Sequence, residues 1–175
     1  MDNKNIISLI FLDIDGVINT RKNELDHIKR KQSICSYKIK LPERNIQNLK
    51  RIIDSDPNCK IVLSSNWRLG GKEGDDMKNL CRQLSKYDIS IYDTTVLNNF
   101  NGRGLQIYSY LVKFYACNGY IPPYIILDDN ISDIVKYHKG HIIYCDPYHG
   151  LDEKGVNISV NLLNKFRSAF NIDLI

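Results

Sequence analysis

The sequence predicts a doubly wound α/β domain in three layers, a five-stranded parallel sheet with helices on both faces, and three observations carry that prediction. Five short apolar runs alternate with segments of helical periodicity, the pattern of β-α units whose strands pair in parallel. Three of the runs lead into the candidate site residues Asp13, Ser64 and Asp128, at the carboxyl ends of strands, where an open sheet binds its ligand. The 175 residues, 43% hydrophobic and 25% charged, suit one soluble globular core, so 1–175 reads as a single domain.

Taken in order, the first run is Ile6 to Leu12, and it opens into Asp13-Ile14-Asp15-Gly16-Val17. Residues 20–41 read as irregular, a flap or minimal cap. Ile46, Leu49, Ile52 and Ile53 then form a helical stripe, with Pro42 and Glu43 suited to its first turn. The second run, Ile61 to Leu63, leads into Ser64-Ser65-Asn66-Trp67-Arg68. Gly70 to Gly74 reads as a linker, because it lacks the spacing of a phosphate-binding P-loop. Met77, Leu80, Cys81 and Leu84 make a second stripe opened by Asp75 and Asp76. Ile89 to Tyr92 is the third run, and Ile107, Tyr108, Leu111, Val112 and Tyr115 form the third stripe. Tyr124 to Leu127 is followed by Asp128-Asp129-Asn130, and Ile142 to Cys145 by Asp146-Pro147-Tyr148-His149-Gly150-Leu151. A last helix carries Leu162, Leu163, Phe166 and Phe170.

Composition excludes several classes. No apolar stretch approaches the roughly 18 residues of a membrane span, and Met-Asp-Asn-Lys-Asn is not a secretory start, so no membrane partner and a cytoplasmic location are expected. Five scattered cysteines without C-x-x-C spacing suggest neither a disulfide framework nor a zinc site; they read as reduced and mostly buried. The net charge of +4 is concentrated in residues 20–40, where Arg21, Lys22, Lys29, Arg30, Lys31, Lys38 and Lys40 face only Glu24 and Asp26. Such a segment fits a solvated loop, or a guide for a phosphate-rich substrate.

The chemistry starts with Asp13 and Asp15. Two carboxylates one residue apart repel unless a cation compensates, although a lone D-x-D-G also fits a solvated turn. The pair Asp128-Asp129 ends another apolar run, and carboxylates converging from two strands call for a metal ion. Ser64 or Ser65 offers a hydroxyl and a backbone N–H to a phosphate oxygen, while also fitting a helix cap. Arg103, at a helix entry, can neutralise phosphate charge or lie merely exposed.

In that order, Asp13-Ile14-Asp15-Gly16-Val17, Leu63-Ser64, Arg103 and Asp128-Asp129 resemble the four motifs of the haloacid dehalogenase (HAD) superfamily of phosphohydrolases, with Arg where Lys is commoner. Leu-Ser-Ser-Asn-Trp-Arg and Asp146 to Leu151 look more narrowly like the HAD domain of Swiss Army Knife RNA repair proteins. The resemblance implies a Rossmann-like sandwich and a Mg²⁺-dependent phosphatase. In it Asp13 is the nucleophile that becomes an aspartyl-phosphate, and Asp15 is the general acid and base. Ser64, Ser65 and Arg103 would hold phosphate oxygens; Asp13, the carbonyl of Asp15, Asp129 and Asp128 would serve the metal.

Between Asp13 and Ser64, and again between Ser64 and Asp129, helices and strands consume most of the chain. A minimal cap or none is therefore expected, and an open site favours a macromolecular substrate such as an RNA or DNA end, or a nucleotide. Asp133 reads as a metal-shell support or a helix-start carboxylate, Trp67 as core or a stacking platform, and Arg68 as a phosphate contact or a surface ion pair. The four histidines show no metal-ligand spacing. Two other readings stand beside the enzyme: a phosphoacceptor signalling domain of receiver type, with Asp93 on the third strand as acceptor, and a non-catalytic phosphate-binding domain.

Overall fold

The computed structural model describes residues 6–96 and 102–172 and contains one parallel sheet of five strands in the order β3-β2-β1-β4-β5. The strands are β1 (Ser8–Leu12), β2 (Cys59–Leu63), β3 (Ile91–Thr94), β4 (Tyr124–Asp128) and β5 (Ile142–Tyr144). Around them run α1 (Arg21–Lys29), α2 (Glu43–Asp54), α3 (Asp75–Leu84), α4 (Arg103–Asn118), α5 (Val135–His138) and α6 (Glu153–Ile172). β1 lies at the centre and is buried on both faces, which is why its sequence is continuously apolar rather than alternating.

The two faces separate cleanly. Ile10 and Leu12 of β1, Ile61 and Leu63 of β2 and Ile125 and Leu127 of β4 pack with Leu49 of α2, Leu80 of α3 and Leu163 of α6. Leu9 and Phe11, Val62 and Ile126 point to the other side, onto Ile107, Tyr110, Leu111 and Phe114 of α4. Strand alternation makes this division. It also decides which residues beyond the strand ends share a face. Among the described residues no helix is long and apolar enough to cross a membrane.

Three expectations are corrected. Residues 20–41 are not irregular throughout: 21–29 form α1, because the Thr20 hydroxyl accepts from the Asn23 N–H and caps a run of good helix formers. α1 nevertheless buries none of its residues, and the charge pattern that read as a loop is its solvated surface. On α4 the buried stripe is Ile107, Tyr110, Leu111 and Phe114, whereas Tyr108, Val112 and Tyr115 are exposed. The helix is apolar on two adjoining faces, so periodicity alone does not choose between them. Of the cysteines, Cys59 and Cys145 are buried, but Cys35, Cys81 and Cys117 are exposed, Cys81 lying on the rim of the α3 stripe.

Candidate active site

Sheet register assembles the site. Leu12 pairs with Leu63 on one side and Leu127 on the other, so one step further along the strands Asp13, Ser64 and Asp128 stand in a row. The ladder continues there: Ser64 N–H donates to the Leu12 carbonyl at 2.9 Å and Asp13 N–H to the Leu127 carbonyl at 3.0 Å. By alternation the three side chains fall on the α4 face, where the first residue of α4 is Arg103. A cleft of about 490 Å³ opens at this edge, lined by Asp13, Asp15, Ser65, Arg103, Asp129 and Asp133 among others.

Arg103 Nη1 lies 2.6 Å from Asp13 Oδ2 and 2.6 Å from Asp128 Oδ2. Burial works against its charge, but the two carboxylates outweigh that and hold the guanidinium protonated beyond its ordinary range. Burial pushes Asp128 up to about 6, with Arg103 opposing the rise and Asp13 adding to it. Asp129 is raised too, by burial first and then by Asp13. Three carboxylates against one guanidinium also leave two negative charges uncompensated, which adds to the rise that burial causes first.

The residues fit a hard divalent cation. Asp13, Asp128 and Asp129 each offer an oxygen within 4.8 Å of the others. An octahedral magnesium shell places neighbouring oxygens about 2.9 Å apart and opposite ones about 4.2 Å apart, and it takes oxygen donors only. Gly16 makes room for this cluster: at φ +78° it sits in the left-handed region, and a Cβ there would overlap the Asp129 carboxylate.

Asp15 is held from two sides. Asn19 Nδ2 donates to its Oδ1 at 2.8 Å, and Trp67 Nε1 donates to its Oδ2 at 2.9 Å. Trp67 therefore belongs to the core, as expected, and also touches the site, which composition did not reveal. Its partner is 52 positions away, and no local pattern announces such a contact.

Ser64 and Ser65 divide the features expected of one residue. Ser64 is completely buried beside Asp13, and its Oγ has no hydrogen-bond partner among the described residues. Ser65 lines the cleft, and its Oγ accepts from Trp67 N–H at 3.4 Å, capping the 3₁₀ turn Asn66–Arg68. Arg68 is neither a surface ion pair nor exposed to a substrate. It is buried, with Nε donating to the Thr95 carbonyl at 3.0 Å and Nη1 to the carbonyls of Ser64, at 2.5 Å, and Ser65. Burial, then Arg103, pushes it down to about 10. Its work is to tie the ends of β2 and β3 together beneath the site.

Asp133 serves a purpose the sequence did not suggest. Its Oδ2 accepts the Gly104 N–H at 3.0 Å, fixing the start of α4 next to Arg103. His138 supports the same point: its Nε2 and the Gly104 carbonyl are 2.9 Å apart, and its Nδ1 is 3.1 Å from the Tyr124 hydroxyl. A carbonyl only accepts, so Nε2 carries the proton and Nδ1 receives the tyrosine's. Of the basic segment, Arg21 reaches the cleft; Arg30, Lys38 and Lys40 line a second hollow of about 650 Å³ together with Asp26 and Glu43. Asn101, two residues before Arg103 at the entry to α4, lies outside the described residues. Asp93 is remote from this constellation: it ends on the edge strand β3, accepting from the Tyr110 hydroxyl at 3.0 Å. The strand order also differs from that of a receiver domain, where β3 neighbours β1.

Residues 9–156 match a family model described as the HAD domain in Swiss Army Knife RNA repair proteins. The HAD domain of the effector protein Lem4 from Legionella pneumophila is similar in structure, at 19% sequence identity and a TM-score of 0.48. The similarity covers 87% of this chain and 92% of that one. No curated protein sequence matches. With a match across most of its length, this chain belongs to the HAD domains of the Swiss Army Knife RNA repair type.

Proposed function

We propose that this HAD domain is a magnesium-dependent phosphomonoesterase that works through an aspartyl-phosphate on Asp13, with a nucleic-acid end as its substrate. The observation that carries the reading is the convergence of Asp13, Asp128, Asp129 and Arg103 on one cleft at the carboxyl edge of the sheet. Asp13 attacks phosphorus with a carboxylate oxygen, and the P–O bond to the substrate's alcohol breaks as Asp15 gives that oxygen a proton. Asp15 then takes a proton from a water whose oxygen attacks the same phosphorus. The acyl-phosphate bond breaks, inorganic phosphate leaves, and Asp13 is regenerated.

The charge that develops on the phosphoryl oxygens needs donors fixed in advance. Arg103 uses Nη1 on the two carboxylates and lines the cleft, and its guanidinium carries further N–H donors suited to phosphate oxygens. The Ser64 hydroxyl, without a hydrogen-bond partner among the described residues, and Ser65 at the cleft wall supply further donors. Magnesium, held by Asp13, Asp128, Asp129 and the Asp15 carbonyl, would neutralise phosphate charge.

For the substrate, support comes from the family's description and from the basic segment 20–41. Arg21 stands at the cleft, and Arg30, Lys38 and Lys40 line a second hollow that they share with Asp26 and Glu43, so a polyanion whose end enters the cleft meets Arg21 there and has further cations of the same segment to reach. The test is turnover of RNA and DNA oligonucleotides phosphorylated at the 3′ or 5′ end, beside a small aryl phosphate, with magnesium and with chelator. Release of phosphate in magnesium alone, faster from an oligonucleotide end than from the aryl ester, is the expected result. Preference for the small ester would remove the nucleic-acid part of the reading.

A further inference from the structure

We infer that Trp67 and Asn19 are positioning residues that hold the Asp15 carboxylate in its working orientation from the core side, so that the acid-base group is set before substrate arrives. The inference rests on the phosphatase reading of Asp15. Asp15 is exposed, and an exposed carboxylate ordinarily samples several rotamers. Here each of its two oxygens takes a different donor, Oδ1 from Asn19 and Oδ2 from Trp67.

Both donors are themselves fixed. Trp67 is buried in the larger core cluster, so its indole N–H has little freedom to follow a moving partner. Asn19 is buried as well, and its Oδ1 accepts from Asn23 Nδ2 at 3.1 Å, which settles its amide orientation so that Nδ2 faces Asp15. The backbone reinforces this: Gly16 N–H donates to the Asn19 carbonyl at 2.7 Å, and Asn19 N–H to the Ile14 carbonyl at 2.8 Å. Trp67 has a second attachment through its own N–H to Ser65 Oγ. The turn that lines the cleft with a hydroxyl and the clamp on the acid-base group are therefore one unit. A displacement of either moves the other.

The experiment is a double-mutant cycle between Trp67→Phe and Asp15→Asn, read as kcat and KM on one phosphate ester. Phe keeps most of the ring's packing and removes only the N–H. In the parent chain Trp67→Phe should lower kcat about 10-fold, a fraction of the 10²- to 10⁴-fold that acid-base catalysis contributes, with KM little changed. In the Asp15→Asn background the same substitution should lower kcat no further. An equal loss in both backgrounds, or a loss carried by KM, would make the contact mere packing and overturn the inference. Asn19→Ala in the same cycle gives an independent arm should the phenylalanine variant fold poorly. A parent chain that turns over no ester overturns the phosphatase reading and this inference with it; turnover with equal losses in the two backgrounds overturns the inference alone.

Discussion

Asp13 is where the chemistry is most exposed to test. In the proposed mechanism, replacing it by Asn removes the anionic nucleophile, one metal ligand and one partner of Arg103 at once, so turnover should vanish. Asp15→Asn keeps the backbone carbonyl while losing proton transfer, and kcat should fall by about 10²- to 10⁴-fold. Both are checked by steady-state kinetics in saturating magnesium. Gly16→Ala tests the cradle: a non-glycine side chain in the left-handed region costs roughly 1–3 kcal/mol, and here the new Cβ also displaces Asp129. Its melting temperature should drop, and the stabilisation that magnesium gives the parent should shrink. The acidic residues of the site were legible because each follows an apolar run. Trp67, Arg68 and Asp133 were candidates too, but the contacts they make were not legible, since each has a partner far away in sequence, across a contact that only folding creates.

The start of α4 is the element on which the site depends. Gly104 is gripped by Asp133 through its N–H and by His138 through its carbonyl, and Arg103 stands one residue before it. Burial holds His138 below its ordinary value of 6.5. A base with a lowered folded-state pKa contributes stability that is present above the unfolded value and is lost as pH falls through the folded one. The contribution of His138 to melting temperature should therefore fall as pH drops below about 6.5, while the raised Asp128 and Asp129 act the other way, so the parent should lose more, or gain less, than His138→Gln, which cannot titrate. Thermal melts of both proteins from pH 8 to pH 5 make the comparison. α1 lies at the other extreme, since it buries none of its residues. Its amides should exchange with solvent well before those of α2 and α3, whose apolar stripes are buried; hydrogen exchange followed by mass spectrometry reads this directly. The sequence announced α2 and α3 through single apolar stripes. It misread α1, whose helix is set by a cap rather than a stripe, and it misphased α4, which is apolar on two faces.

At the scale of the molecule, the order β3-β2-β1-β4-β5 puts β1 in the middle and its two neighbours, β2 and β4, on either side. The three strands that lead into Asp13, Ser64 and Asp128 are therefore adjacent, and these residues gather at one edge. The parallel sheet and its carboxyl-edge site were legible from the alternation of runs and stripes. Strand order was not, because it depends on which crossovers pack together, and order is what separates this sheet from that of a receiver domain. The measurement that bears most directly on the central claim is rapid quenching of the protein during turnover of a phosphate ester, followed by hydroxylamine trapping and peptide mass spectrometry. The account predicts a modified Asp13, absent when Asp13 is replaced by Asn. A modification on Asp93, or turnover that persists in the Asp13→Asn protein, would contradict it.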